Sequence, residues 1–261
     1  MNFYKLYQGD CLNHLKDIEN KSIDLVITDP PYNIGKDDWD NIDFYIEWIE
    51  QILNEVNRVM TDKASFWLFC SQLYYPEIVT LIKEKFIYRN TIIWRYFNGH
   101  VTQKGFSRRY EPLIYSVKSE EYVFDADSIR IPRKRSDNRY LKKYSKDGKV
   151  PDDVWDFNRV VYTPDRPDHP TIKPEAIIDR MIKVSSNKND IILDPFLGSG
   201  TTMKVCQDLG RSCIGMELEP KYIDIIKQRC WGRQFLDRQV EYDFIPQLSV
   251  NTKQLRIKTG R

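Results

Sequence analysis

Over residues 1–96, short apolar runs alternate with amphipathic segments. Runs 3–7, 23–28, 64–69 and 91–94 are rich in β-branched and aromatic side chains, which predicts strands. Segments 12–17, 43–60 and 75–85 repeat their apolar residues at helical spacing and predict helices. Near the other end the rhythm returns, with strand 190–193, helix 201–209, strand 212–216 and helix 221–230. Strands alternating with helices imply βαβ units, hence a doubly wound, mostly parallel sheet with helices on both faces. Both halves are expected to share that one sheet. Residues 97–168 lose the rhythm and read as an insertion rather than a sheet layer. The expected organisation is therefore one domain of 1–96 and 169–232, an insertion at 97–168, and a C-terminal extension at 233–261. The tail 253–261 reads as a flexible basic end.

Composition narrows the class. The chain has 261 residues, 41% hydrophobic and 13% aromatic, enough for a sizeable core. No stretch approaches the roughly 20 apolar residues of a membrane span, and the N-terminus lacks the apolar core of a signal peptide. No membrane partner is expected, and the expected compartment is the cytoplasm. Five cysteines are scattered without a Cys-x-x-Cys pair, which suggests neither a metal site nor a disulfide framework. A net charge of +2 indicates no partner by itself, but its distribution is uneven. Residues 130–149 hold nine basic side chains against two acidic ones, with Tyr140 and Tyr144 between them. A solvated loop fits this composition as well as a nucleic-acid contact does. The candidate DNA-binding residues there are Arg130, Arg133, Lys134, Arg135, Arg139, Lys142 and Lys143.

Two motifs carry chemistry. The run Ile191-Ile192-Leu193-Asp194-Pro195-Phe196-Leu197-Gly198-Ser199-Gly200-Thr201-Thr202 is a strand entering a glycine-rich turn and then a helix. Glycines let a backbone pass close to a ligand. The turn is not a phosphate loop, because no Lys-Ser or Lys-Thr pair ends it, and it lacks the Gly-x-Gly-x-x-Gly dinucleotide spacing. A nicotinamide oxidoreductase is disfavoured accordingly. Glu217 ends the next strand, where a carboxylate can bind ribose hydroxyls or merely cap the following helix. His169 to Glu175 opens a helix whose Lys173 is misplaced against the helix dipole, which a ligand carboxylate would explain. The second motif is Asp29-Pro30-Pro31-Tyr32 at the end of the strand 23–28. Two prolines stiffen the loop and remove two backbone donors, leaving carbonyls to face a ligand. A rigid turn with an Asp cap is the plain alternative. Asp29 and Asp194 nevertheless share the carboxyl edge, where open α/β sheets bind ligands.

The order Gly9-Asp10-Cys11-Leu12, Asp29-Pro30-Pro31-Tyr32, His169 to Pro174, Asp194 to Thr202 and Glu217 resembles the DNA amino-methyltransferases in which the catalytic motif precedes the cofactor motif. The resemblance spans residues 7 to about 230 and leaves only the insertion unmatched. It implies the cofactor S-adenosyl-L-methionine: Asp194, Phe196, Gly198, Ser199 and Gly200 around its methionine part, Thr201 and Lys173 at its carboxylate, Glu217 at its ribose, and Asp10 with Cys11 at its adenine. It further implies Asp29, the Pro30 carbonyl, Pro31 and Tyr32 around a flipped-out base, with Asp29 also beside the methyl donor and Tyr32 as a stacking platform. The implied partner is double-stranded DNA; a cognate restriction endonuclease acting on the same site and a homodimer are compatible with it. Adenine N6 is the expected target, with cytosine N4 as the alternative, since N4 enzymes more often carry Ser where Asp29 stands. Carbon-5 methylation of cytosine needs a nucleophilic Cys after a proline, and no proline here precedes Cys. A plain DNA-binding module would explain the basic segment but not the two motifs at the sheet edge.

Overall fold

The computed structural model describes residues 2–99, 101–133, 148–161, 172–232 and 241–246. In chain order the first half comprises β1 (Phe3–Gln8), α1 (Cys11–Leu15), β2 (Ile23–Thr28), α2 (Tyr45–Val59), β3 (Met60–Phe69), α3 (Tyr75–Lys85) and β4 (Ile87–Arg95). Next come β5 (Tyr110–Val117), β6 (Val154–Asp156), α4 (Glu175–Ser185), β7 (Ile191–Asp194), α5 (Thr201–Leu209), β8 (Ser212–Glu217), α6 (Pro220–Cys230) and β9 (Glu241–Ile245). All nine strands form one sheet in the order β6-β4-β5-β3-β2-β7-β8-β1-β9. Only β5 is antiparallel to its neighbours; the other pairings are parallel.

Both faces of the sheet are covered, which is why its inner strands are continuously apolar rather than alternating. In β2, Ile23 and Val26 pack into a core with α1, α2 and α3, while Leu25 and Ile27 pack into a second core with α4, α5 and α6. The two halves share the sheet as expected, because β2 pairs with β7 through Leu25–Ile192 and Val26–Leu193.

One expectation fails. Segment 97–168 is not outside the sheet: it supplies β5, inserted between β3 and β4, and the edge strand β6. The run Tyr110–Val117 buries Leu113, Tyr115 and Val117 in one core and Ile114 in the other. Pro112, which lacks an N–H and usually marks an edge, pairs with Ile93 of β4 just past the last β3–β5 pair, and its carbonyl accepts the Cys70 N–H at 3.2 Å. The C-terminal extension also enters the sheet, as β9 beside β1. The tail 253–261 lies outside the described residues.

The site follows from the winding. From β2 the chain passes through α2 to β3 on one side, and from β7 through α5 to β8 on the other. The connections diverge above adjacent strands, so a crevice opens between their carboxyl ends. Asp29 follows β2 and Asp194 ends β7, one on each side of that crevice. No helix among the described residues is long and apolar enough to cross a membrane.

Candidate active site

The loop after β2 is held from three sides. Tyr45 of α2 donates its hydroxyl to the Pro31 carbonyl at 2.6 Å, and Tyr32 donates its own to Glu111 Oε2 at 3.0 Å. Asp40, fully buried, accepts the N–H groups of Asn33, Ile34 and Lys36 at 2.7, 3.2 and 3.0 Å. Collecting three donors on one buried carboxylate satisfies a turn that would otherwise expose unpaired backbone. Tyr32 is only 8% exposed, so it meets a stacked base only if the loop yields.

Lys173 does not stand free to meet a ligand carboxylate. Its Nζ lies 2.5 Å from Asp29 Oδ2 and 3.6 Å from Glu111 Oε2. The rings of Phe69, Tyr32 and Trp94 surround it, with centroids at 5.0, 5.3 and 5.9 Å. Two carboxylates and an aromatic box therefore offset the unfavourable end of the α4 dipole. Glu111, from β5, also receives Arg159 at 2.7 Å. Burial lowers the Lys173 ammonium, but Asp29 and Glu111 outweigh it and hold it above its ordinary value. Burial raises the Glu111 carboxyl, yet Lys173 and Arg159 bring it below the usual carboxylate range. For Asp29 burial prevails over Lys173, and its carboxyl sits above that range. Asp29 Oδ1 is buried and has no hydrogen-bond partner.

Across the crevice, the glycine turn is built around two carboxylates. Asp194 accepts the Phe196 N–H at 3.1 Å and the Thr202 hydroxyl at 2.6 Å. Glu217 accepts the Gly198 N–H on one oxygen and the Glu219 N–H on the other, both at 2.8 Å. Glu217 thus ties the glycine turn to the start of α6 rather than merely capping that helix, and each oxygen keeps a free lone pair. Gly200 caps α5 at φ +84°, and a Cβ there would press on Cys230 and Ile226 at 3.3 Å. Arg229 of α6 braces the turn from behind, donating to the Ser199 carbonyl and hydroxyl and to the Thr201 hydroxyl at 3.0 to 3.1 Å. Burial pushes both the Asp194 and the Glu217 carboxyls up to about 7. Asp10 caps α1 through the Leu12 N–H at 2.8 Å, and the thiol of the adjacent Cys11 is buried and raised.

These pieces enclose a cavity of about 230 Å³. Ten of the eleven cofactor residues expected from the sequence line it, namely Asp10, Cys11, Asp29, Lys173, Asp194, Phe196, Gly198, Ser199, Thr201 and Glu217; Gly200 stands behind it. Of the catalytic loop, Asp29 and Pro31 reach the cavity. Trp39, Ile42 and Trp48 supply an apolar wall, Trp48 meeting Phe196 edge-on at 5.6 Å. Five carboxylates (Asp10, Asp29, Asp194, Glu217, Glu219) face it against the single cation Lys173 among the lining residues. Such a lining repels phosphates and favours a cation, and a sulfonium with an adjacent ammonium fits it. Sequence reasoning missed Glu111, Asp40, Tyr45, Arg159 and Arg229. Only Glu111 left a signal, as a carboxylate next to an apolar run.

The described ends of the basic segment stand away from the cavity lining. Arg130 is paired with Asp127 at 2.6 Å, Arg133 donates to the Gly148 carbonyl at 3.0 Å, and an Ile131–Lys149 bridge closes the base of the loop. Ser128, just before it, bonds the Lys183 carbonyl at the far end of α4. Since α4 begins two residues after Lys173 and Lys183 lies in its last turn, the loop base meets the end of the helix remote from Lys173. Lys134, Arg135, Arg139, Lys142 and Lys143 lie outside the described residues.

Comparison with known proteins agrees with this geometry. The N6/N4 methyltransferase family model, described as DNA methylase, matches residues 23–228. The chain is similar to the type II methyltransferase M.HpaI of Haemophilus parainfluenzae, 38% identical over 234 residues that cover 86% of this chain and 73% of that protein. It is equally similar to the DNA adenine methyltransferase YhdJ of Escherichia coli (strain K12), 38% identical over 234 residues, 84% of this chain and 79% of that one. Among solved structures, the M1.HpyAVI complex with SAM superposes with a TM-score of 0.65 at 25% identity, covering 87% of this chain and 98% of the other. The cytosine-N4-specific PvuII DNA methyltransferase shares the fold, with a TM-score of 0.69 at 17% identity over 93% and 95% of the two chains. Because the match runs from β2 before Asp29 into α6 after Glu217, taking in both walls of the crevice, the chain belongs to the S-adenosylmethionine-dependent N6/N4 family of DNA methyltransferases.

Proposed function

We propose that this chain methylates adenine N6 of a flipped-out base at a specific site in duplex DNA. The observation that carries this reading is Asp29 Oδ1, a buried acceptor without a donor at the edge of the cavity. In this reading Asp194, Phe196, Gly198, Ser199 and Gly200 hold the methionine part of S-adenosylmethionine, Thr201 its carboxylate, Glu217 its ribose, and Asp10 with Cys11 its adenine. The cofactor supplies an electrophilic methyl group on a sulfonium.

An exocyclic amino nitrogen is a poor nucleophile because its lone pair is delocalised into the ring. Asp29 Oδ1 takes one of its N–H groups and the Pro30 carbonyl the other, which draws the nitrogen towards tetrahedral geometry and frees the lone pair. Lys173 occupies Oδ2, so the open oxygen is the one that receives the N–H. Once the nitrogen has gained its methyl it carries a surplus proton, and Asp29 Oδ1 accepts it; burial already holds that carboxyl above its usual range. Positioning and charge complementarity supply most of the acceleration, and no covalent enzyme intermediate is required.

Adenine is favoured by Asp at position 29, where the cytosine-N4 enzymes that this sequence resembles more often carry Ser. Likeness to an enzyme described as a DNA adenine methyltransferase supports the same choice. Likeness to type II methyltransferases supports a companion endonuclease at the same site. The test is incubation of unmethylated DNA with labelled S-adenosylmethionine, followed by nucleoside mass spectrometry and modified-base sequencing. N6-methyladenine at one short sequence is expected; N4-methylcytosine would overturn the adenine assignment.

A further inference from the structure

Twelve large apolar side chains are exposed among the described residues, and nine sit on the loops that leave the sheet on the side of the crevice. Ile34 and Phe44 follow β2, Leu73 follows β3, Val160 and Val161 follow β6, Leu218 follows β8, and three, Phe97, Val101 and Phe106, belong to the β4–β5 connection. Exposed apolar surface concentrated on one rim, the rim that holds the catalytic crevice, marks a binding face.

The β4–β5 connection dominates it. Phe97, Val101 and Phe106 are 64%, 82% and 101% exposed. The loop is not a loose excursion. Tyr96 donates its N–H to the Arg109 carbonyl at 2.9 Å, Asn98 exchanges hydrogen bonds with the Arg159 backbone at 2.9 Å each way, and Thr102 bonds Ser107 and Gly105 across the tip. Residues 97–109 contain Lys104, Arg108 and Arg109 and no carboxylate. Its strands carry it to the crevice, because Glu111, one residue into β5, receives Tyr32 of the catalytic loop. The result is a braced, basic loop with apolar side chains at its tip, rising from the strand whose Glu111 holds the catalytic loop.

We infer that this loop is the DNA wedge of the enzyme: Phe106, flanked by Val101, inserts into the base stack beside the target, while Lys104 and Arg108 meet the flanking phosphates. The inference rests on the base-methylating reading. A base reaches Asp29 only after leaving the duplex, and apolar side chains inserted between base steps lower the cost of the opening left behind. Duplex DNA, rather than a second copy of this chain, is favoured because basic residues accompany the apolar tip, and the loop leaves the sheet on the rim where the crevice opens.

The test compares parent, Phe106→Ala and Phe106→Trp once modified-base sequencing has given the site. Substrates are a short duplex with the target base paired and the same duplex with the target opposite an abasic position, where the stack is already open. Phe106 is fully exposed, so the variants fold. Phe106→Ala is expected to lose on the order of tenfold in kcat/KM on the paired duplex, to return within about threefold of the parent on the abasic duplex, and to show weaker 2-aminopurine fluorescence at the target position; Phe106→Trp is expected to keep parental activity. Equal losses on both duplexes, or no loss, would overturn the wedge. A loss traced by sedimentation to dissociation of a dimer would overturn it too, in favour of a contact between copies. A parent inactive on every DNA would strike the methylating reading itself, a failure visible before any variant is made.

Discussion

Replacing Glu111 by Gln tests whether the charge cluster governs chemistry or only packing. The amide keeps the shape and can still accept the Tyr32 hydroxyl, so the change removes one negative charge and little else. Lys173 at 3.6 Å and Arg159 at 2.7 Å lose a partner. Stripping one member from a buried pair costs about 3–5 kcal/mol when the other is left uncompensated. Lys173 retains Asp29 at 2.5 Å and the Arg159 side chain is 43% exposed, so the expected loss is smaller, about 1–2 kcal/mol. In a chain of this size that lowers the melting temperature by roughly 2–8 °C. The effect on chemistry has a definite sign. Glu111 raises the Asp29 carboxyl, so its removal lowers it. A weaker base at Oδ1 accepts the amino proton less readily, and the acid limb of the rate profile moves to lower pH while the plateau falls by about tenfold. Single-turnover methyl transfer between pH 5 and 9, beside thermal unfolding, measures both. A folded Glu111→Gln variant with parental plateau and unmoved acid limb would refute the argument.

Asp29→Asn is expected to slow single-turnover transfer more than a hundredfold, about 3 kcal/mol, and, because it also strips the pair from Lys173, to destabilise the fold by about 1–3 kcal/mol rather than the 1 kcal/mol or less of a lost cap. Asp194 and Glu217 titrate near 7 in the folded protein, against 3.8 and 4.5 otherwise, so the native state holds protons that the unfolded chain releases. Cofactor-free protein should therefore lose stability as pH rises from about 4 to 7, by roughly 3–4 kcal/mol per group, and then level off; melting curves that rise over that window would contradict it. A bound sulfonium opposes those protonations, so calorimetry should find affinity rising between pH 6 and 8, with Glu217→Ala binding more weakly at every pH. Neutralising Lys104 and Arg108 together should reduce the log–log salt slope of DNA binding by up to about two units, whereas Arg130→Gln, whose charge already faces Asp127, should leave it nearly unchanged.

The strand–helix alternation was legible because helices cover both faces, making each inner strand a plain apolar run such as Ile23–Thr28 bounded by polar turns. β5 was hidden by local signals that point the other way. It begins Tyr-Glu-Pro after two arginines, and neither its buried carboxylate nor its internal proline announces a central strand. Losing β5 meant losing Glu111, whose importance comes from neighbours 62 and 79 positions away along the chain, Lys173 and Tyr32 respectively. The cofactor side was more legible because its chemistry is local: a glycine at positive φ, a carboxylate ending a strand and an uncapped helix lie within 24 residues, 194–217. On the DNA side, charge density drew attention to 130–149, most of which lies outside the described residues, while the exposure of Phe97, Val101 and Phe106 could not be read from the sequence because it depends on where β4 and β5 end.

Lys173 shows how stability and function trade in this site. A cation at the start of α4 is disfavoured by the helix dipole, and burying it adds a further cost. Neither is explained by packing, since any apolar side chain would fill the space among Phe69, Tyr32 and Trp94. The cost has a purpose in the charges around it. Five carboxylates face the cavity, and Asp29 buried among them without a cation would be pushed further towards its neutral form, a weaker acceptor for an N–H. Lys173 keeps that carboxylate ionised, yet it bonds only Oδ2 and leaves Oδ1 open. Arg159 does the corresponding work for Glu111, so two anions and two cations balance around the one oxygen left without a partner. A cluster that served only stability would have satisfied Oδ1 as well.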